Sequence, residues 1–393
     1  MAAARSAARP AGTEAKPRKK RRFFSIVNGF DMPFLIILML VLVFGLICLF
    51  SASYAYSYYW NDGNSYYYIQ RQLIFAVLGI VAMLVISTVD YHVLHHFAIP
   101  IMVVSLILLG IALALPSSTG IHRWIRIPGL GQFQPSEVAK FALILLFAHL
   151  ISLNHKKMKT FVWGFVPFML ILGVVCGLVF IEPHLSGTIL LLAIGMIMMY
   201  VGGTRLAYLL GTMGLGAAAV VYMIFVKGYE QDRIAVWLNP VQAYATNRND
   251  AWQTMQSLYA IGSGGLMGQG LGNSRQKHLF LPEPHNDFIF SVVCEELGFV
   301  GALLVVVLFG LLVWRGFTIG MKAPDKFGSM LAIGLTAQIG VQVAMNIAVV
   351  TNTIPNTGIS LPFFSYGGTS LVMLLAQMGV VLSVSRNVNA EKT

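Results

Sequence analysis

Long apolar segments separated by short polar connections run along almost the whole chain. A helix of about 20 predominantly apolar residues spans the hydrocarbon core of a bilayer, and most of these segments approach that length. The pattern therefore predicts an all-α polytopic membrane protein with about ten transmembrane helices. The predicted spans are residues 33–52, 71–89, 95–115, 137–153, 162–181, 186–202, 205–226, 287–314, 328–351 and 363–385.

The basic residues outside the spans predict the orientation. Residues 1–25 form a basic N-terminal tail that we expect to be disordered and cytoplasmic, followed by a transmembrane domain over 26–386 and a short tail, 387–393. Both termini then lie in the cytoplasm. The longest connection, about 227–286, falls outside between the seventh and eighth helices, and its segment 251–261 has the pattern of an amphipathic surface helix.

Composition supports lipid as the solvent of this chain. Only 10% of its residues are charged and 57% are hydrophobic, with a mean hydropathy of +0.75, whereas soluble domains carry about 25% charged residues. The net charge of +11 comes with a basic cluster just before the first span. No basic groove interleaved with aromatic residues follows, so nucleic acid is not an expected partner.

One candidate catalytic residue stands at the outer end of the eighth predicted span. Pro282 and Pro284 exclude a helix before this point, so Asp287 falls in the first turn, with Ser291 and Glu295 on the same helical face. A half-desolvated carboxylate gains basicity and could take a proton from a hydroxyl nucleophile. The alternative is that Asp287 only caps the helix.

A second candidate group begins the fourth span. Ser136, Glu137 and Lys140 share one face of a helix start, and a lysine one turn inside a span needs a partner. Pairing with Glu137 explains Lys140 structurally. Functionally, the lysine could hold a phosphate or tune Asp287 across a cavity.

The long outer connection carries further cations and a glycine-rich stretch, 262–272. Arg233 lies early in this connection, and Arg275 and Lys277 could cradle a diphosphate together with backbone N–H groups, although a mobile solvated loop is an equal alternative. His278, Glu283 and His285 match no standard metal spacing. The tyrosines of residues 54–68 are interpreted as an interfacial belt that anchors the chain.

Five blocks, in order along the chain, resemble the SEDS family (shape, elongation, division and sporulation proteins), and within it the FtsW branch. The RodA and SpoVE branches share most of these blocks. They are Arg123-Trp124 with Gln134-Pro-Ser-Glu-Val-Ala-Lys140, Asp232-Arg-Ile234 with Trp237-Leu-Asn-Pro240, Gln256-Ser257 with Ala260-Ile-Gly-Ser-Gly-Gly265, Leu281–Asp287 with Glu295-Glu-Leu-Gly298, and residues 357–370.

The resemblance implies a peptidoglycan glycosyltransferase that polymerises lipid II at the outer face of the bacterial cytoplasmic membrane. Asp287 matches the catalytic aspartate of the family, while Lys140, Arg233 and Lys277 are candidate cations for the diphosphate. Further candidate substrate contacts are Arg123, Glu137, Glu295 and Ser365. No cofactor is expected with certainty, although a divalent cation, Mg²⁺ or Mn²⁺, is compatible with the reaction. A class B penicillin-binding protein, other division proteins of the membrane and membrane lipid are the implied partners.

One departure from the family pattern concerns the segment between the fifth and sixth spans. The family commonly shows Pro-Asp-Leu-Gly-Ser/Thr, and this chain has Pro183-His-Leu-Ser-Gly-Thr188 instead, so that His184 replaces the acid and the glycine is displaced.

Two other functions stay open. A lipid II flippase or other transporter would suit ten apolar spans, and a non-catalytic scaffold for the transpeptidase would make Asp287 replaceable.

Overall fold

The computed structural model describes residues 29–115, 123–127, 131–225 and 231–390, and these form a bundle of helices. The predicted tail over 1–25 and the last three residues lie outside these ranges. The helices are α1 (Met32–Trp60), α2 (Tyr67–Thr88), α3 (His92–Ala114), α4 (Pro135–Asn154), α5 (Phe161–Gly164), α6 (Val166–Ile181), α7 (Leu185–Gly202), α8 (Leu206–Phe225), α9 (Gln231–Leu238), α10 (Pro240–Thr246), α11 (Arg248–Gly264), α12 (Ile289–Met321), α13 (Lys326–Val350) and α14 (Gly368–Ala390). A short 3₁₀ helix, His155–Lys157, follows α4, and strands β1 (Ile125–Ile127) and β2 (Gly131–Phe133) pair antiparallel.

The predicted all-α membrane fold is confirmed. Within the described ranges, nine helices are long and apolar enough to cross a membrane. The seventh predicted span coincides with α8. The apolar part of this helix, Leu206–Ala218, is shorter than the nine candidate spans and is not one of them. Four boundaries were wrong by five residues or more: α1 continues to Trp60 and α12 to Met321, while α14 begins only at Gly368 and extends to Ala390.

Two long helices form the centre of the bundle. Helix α13 packs against α12, α4 and α7, while α4 also contacts α3. Both α4 and α13 are buried over most of their length, whereas α2, α3 and α12 leave most of their apolar surface exposed at the outside of the bundle. An apolar exterior is the arrangement that lipid solvation favours.

The long connection between α8 and α12 contains α9, α10 and α11. The predicted amphipathic helix is present as α11, but its buried face packs against α12 instead of lying free on a membrane surface. Ser257 on this face lies 2.7 Å from the Ser291 hydroxyl and donates to the Val350 carbonyl at 2.8 Å. The amphipathic pattern of α11 therefore arises from its packing against α12.

The glycine-rich stretch is bonded to a kink in α12. Gly298 interrupts the helix with φ 65° and ψ −165°, and the carbonyl groups of Glu295 and Glu296 are thereby left without helical partners. The N–H groups of Gln269 and Gly270 donate to these two carbonyls at 3.0 and 2.9 Å. The predicted diphosphate cradle is therefore not formed by these two N–H groups, because they satisfy α12.

Replacement of Gly298 by alanine is expected to destabilise this junction. A Cβ at this position would collide with the Gly268 backbone nitrogen, and alanine rarely adopts the positive φ. We expect a loss of about 1–3 kcal/mol of unfolding free energy, measured as a lower melting temperature in detergent. Gly310→Ala, in the same helix with nothing within 4 Å of the new Cβ, is the matched control. Equal melting temperatures of the two variants would contradict the proposed importance of the kink.

Candidate active site

A polar cavity of about 690 Å³ opens at one end of the bundle. It lies where α2, α4, α7 and α14 begin and where α1 ends. The segments that precede α12 and α14 complete its lining. The cavity is therefore made from helix ends and irregular backbone, which is where polar groups can be placed without breaking a helical hydrogen-bond ladder.

Asp287 lies in a turn just before α12, which begins at Ile289. The expected common helical face with Ser291 and Glu295 is therefore wrong for Asp287. Its backbone is fixed by Asn346 of α13, whose amide nitrogen donates to the Asp287 carbonyl at 2.8 Å and to the Ile359 carbonyl at 2.7 Å. One buried amide thus joins the segments that precede α12 and α14.

The Asp287 side chain lines the cavity beside Gly358, where a Cβ would lie 3.0 Å from the carboxyl oxygen Oδ2. Burial and, to a smaller extent, the neighbouring Glu283 carboxyl raise the pKa of Asp287 to about 6 against the opposing charge of Arg123. At neutral pH the carboxylate is mostly ionised yet more basic than an exposed aspartate. This is the property that a general base requires.

The start of α4 places a buried ion pair in the same cavity. Pro135 begins the helix, and Lys140 Nζ lies 2.8 Å from Glu137 Oε1. The pairing expected from the sequence is therefore present, and both side chains also line the cavity, as does Ser136. The Ser136 hydroxyl has no hydrogen-bond partner within the described part of the chain.

Arg123 reaches the cavity from the segment before β1. Its Nε donates to the Glu182 carbonyl at 3.4 Å, which links this segment to the end of α6. The Glu182 side chain is fully buried, and burial raises its pKa to about 8 against the opposing charge of Arg123. Glu182 therefore carries less negative charge beside Arg123 than an exposed glutamate would.

An aromatic cluster forms a further part of the lining. The rings of Tyr56 and Tyr68 lie with their centroids 4.8 and 4.2 Å from that of His285, and Tyr366 follows at 5.9 Å. Arg71 stands beside them. The interpretation of the early tyrosines as a purely anchoring belt is wrong for Tyr56 and Tyr68, because they turn inward.

Two predicted substrate contacts hold neighbouring loops instead of lining the cavity. Ser365 donates to the Asn286 carbonyl at 2.7 Å and accepts from the Leu361 N–H at 2.8 Å, which ties the start of the last helix to the Asp287 segment. Arg233 on α9 donates to the Asn356 carbonyl at 3.3 Å. All three bonds support segments adjacent to Asp287.

Over the described ranges, no group of three or more His, Cys, Asp or Glu side chains is arranged to hold a metal ion. His285 and Glu283 line the cavity, but His278 does not. The divalent cation stays a prediction.

Comparison with known proteins places the chain among proteins of the same size and architecture. The family described as Cell cycle protein (FtsW, RodA, SpoVE) matches residues 31–390. A probable peptidoglycan glycosyltransferase FtsW of Geobacter sp. (strain M18) is 40% identical over 366 residues, covering 91% of this chain and 97% of that protein. This chain belongs to the FtsW/RodA/SpoVE family.

Relatives within the family include more than one branch. Stage V sporulation protein E of Bacillus subtilis (strain 168) is also 40% identical, over 362 residues, with 91% and 97% coverage. Among solved structures, a chain of a peptidoglycan synthase complex that coordinates polymerization and crosslinking matches with a TM-score of 0.76 and 27% identity, covering 92% of this chain and 98% of that one. The rod shape determining protein RodA of Thermus thermophilus matches with a TM-score of 0.66 and 26% identity, with 91% and 97% coverage.

Two charged residues predicted to contact substrate lie outside the cavity in this FtsW/RodA/SpoVE protein. Glu295 accepts hydrogen bonds from the Ser274 hydroxyl and from the Arg275 and Gln276 N–H groups. Lys277 is buried, with its Nζ 2.8 Å from Glu296 Oε1 and 2.6 Å from the Gly272 carbonyl. Both therefore anchor the 272–281 loop to α12.

Breaking the Lys277–Glu296 pair is expected to destabilise the protein. Lys277→Met would leave Glu296 buried without its cation, at a cost of about 3–5 kcal/mol, measured as a lower melting temperature in detergent. Arg275→Met, in the same loop but exposed, is the matched control and should melt like the wild type. The double variant Lys277→Met/Glu296→Gln should recover part of the loss. A normal melting temperature for Lys277→Met would refute the anchoring role.

Proposed function

We propose that this chain is a peptidoglycan glycosyltransferase that polymerises lipid II. The observation that carries the proposal is the shared cavity, in which the Asp287 carboxylate stands with the cations Arg123 and Lys140. A base and an anion-binding group are the two things that transfer of a sugar from a diphosphate requires. The glycosyltransferase names of the FtsW relatives support the same reaction.

In the proposed reaction, the 4-hydroxyl oxygen of the acceptor sugar attacks the anomeric carbon of the donor. Asp287 takes the hydroxyl proton as the new glycosidic bond forms. The bond from the anomeric carbon to the phosphate oxygen breaks with inversion, and its electron pair leaves with undecaprenyl diphosphate. The negative charge that develops on the leaving group faces Arg123 and Lys140, which stabilise it in a cavity partly shielded from water.

Glu137 has a positioning role in this scheme. Its bond to Lys140 leaves two of the three ammonium protons for other partners, while it fixes the direction of the side chain. A divalent cation, Mg²⁺ or Mn²⁺, would reach the site bound to the substrate diphosphate.

The orientation and the partner are part of the proposal. We propose that both termini lie in the cytoplasm and that the cavity opens at the outer face of the bacterial cytoplasmic membrane, which the positive-inside rule supports. The solved relative that belongs to a peptidoglycan synthase complex supports a class B penicillin-binding protein as the partner that crosslinks the product. Other division proteins of the membrane would join this assembly.

Loss of the Asp287 carboxylate is expected to abolish polymerisation. Asp287→Asn keeps the shape of the side chain but removes the base, so the rate should fall about 100-fold or more. The measurement is a gel assay of labelled lipid II with purified protein, with and without its transpeptidase. Asp62→Asn is the matched control, because Asp62 is exposed and has φ 51°, a conformation that asparagine also adopts.

Two outcomes of that assay would contradict the proposal. Polymer from Asp287→Asn at the wild-type rate would remove Asp287 from the chemistry. If no polymer formed from either protein, even with the partner, a transporter or a scaffold would replace the enzyme.

The pH dependence provides an independent test of the base. A base with a pKa of about 6 becomes protonated below that pH, so kcat/KM should fall about tenfold per unit on the acidic side. Because the Arg123 charge lowers this pKa, Arg123→Gln should move the acidic limb to higher pH. Arg248→Gln, on the exposed outer surface of α11, is the control. An acidic limb that Arg123→Gln leaves in place would contradict the assignment.

A further inference from the structure

The segment that departs from the family pattern, 183–188, lies in the lining of the cavity. His184 and Gly187 both line it, at the start of α7. The His184 side chain makes no capping bond to that helix. Its ring is therefore not explained by the usual role of a residue at a helix start.

The displaced glycine makes room for the imidazole. A Cβ at position 187 would lie 2.6 Å from His184 Nδ1 and 2.7 Å from Cε1, closer than real contacts allow. Residue 187 must therefore lack a side chain while the ring occupies this place. The two departures from the family pattern, His184 and Gly187, therefore lie in contact.

Ser186, between these two residues, ties the same turn to the candidate base. Its hydroxyl donates to the Gly358 carbonyl at 2.9 Å, and Gly358 is the residue that faces the Asp287 carboxyl. The position of the imidazole is thereby fixed relative to Asp287.

The surroundings of His184 are electropositive and incompletely satisfied. Its Nδ1 is buried against Gly187 without a hydrogen-bond partner among the described residues. Nε2 is therefore the nitrogen left to meet a ligand in the cavity that the ring lines. Burial, together with the charges of Arg123 and Lys140, lowers the pKa of His184 to about 3. The ring is therefore neutral, with one nitrogen a donor and the other an acceptor.

We propose that His184, held in place by Gly187, contacts the diphosphate of the polyprenyl-linked substrate as a neutral hydrogen-bond donor beside Arg123 and Lys140. The inference rests on the proposed function and names one more substrate contact within it. An uncharged donor extends the anion site without adding a third cation. A carboxylate at this position would instead compete with the diphosphate for the same two cations.

The test measures binding apart from catalysis. Undecaprenyl diphosphate is titrated into the purified full-length protein in detergent, and the dissociation constant is compared for the wild type, His184→Ala and His184→Gln. We expect His184→Ala to weaken binding about tenfold or more, because a hydrogen bond to a charged group is lost. His184→Gln keeps a neutral donor and should stay within about threefold of the wild type.

Gly187→Ala provides a second, independent variant. Its new Cβ displaces the imidazole, so it should weaken binding as His184→Ala does, and the double variant should bind no worse than His184→Ala alone. Gly177→Ala on the neighbouring α6, with nothing within 4 Å of the new Cβ, is the matched control.

The outcomes separate this inference from the proposed function. Wild-type affinity in His184→Ala at an unchanged melting temperature would overturn the inference. It would also be overturned if His184→Ala and His184→Gln lost affinity to the same extent and lost melting temperature to the same extent. Wild-type protein that binds the diphosphate but polymerises no lipid II would contradict the proposed function and leave this contact standing.

Discussion

Irregular backbone inside an apolar bundle must find its hydrogen-bond partners within the protein, and this requirement organises the whole cavity end of the structure. Where α12 bends at Gly298, the glycine-rich stretch supplies the missing donors. Where the backbone is irregular before α12 and α14, the amide of Asn346 supplies two more donors. The bonds that satisfy these backbone carbonyls thus also fix the position of Asp287. The location of the candidate base therefore follows from the need to pair irregular backbone within the protein.

The charged residues near this end divide into two groups with different surroundings. Arg123 and Lys140 line the cavity. Lys277 and Glu295 are enclosed between the 272–281 loop and α12 and are saturated by protein groups. Since a buried charge is tolerated only with partners, protein groups account for the second group, whereas the first group lines the cavity in which we propose that the substrate binds.

The sequence predicted the helices and the Glu137–Lys140 pair because both depend on local spacing. It also singled out Asp287, since a carboxylate at the mouth of an apolar span is costly. The roles of Lys277 and of the inward tyrosine Tyr68 could not be predicted, because they depend on which distant segments meet. His184 stood out in the sequence only as a departure from the family pattern. Its contact with Gly187 could not be predicted, because it depends on where the imidazole ring lies in the fold.

The enclosed Lys277–Glu296 pair has a consequence for genetics. In a growth selection, loss of Lys277 and loss of Arg123 would both score as defects, although they act on different quantities. The first lowers the folded fraction and therefore produces a conditional phenotype, which cooling or a second-site stabilising mutation elsewhere in the bundle can suppress. The second would remove a cation from the cavity of a protein that is still folded, and no gain in stability restores it. Suppressor spectra would therefore sort the charged residues of this chain by mechanism.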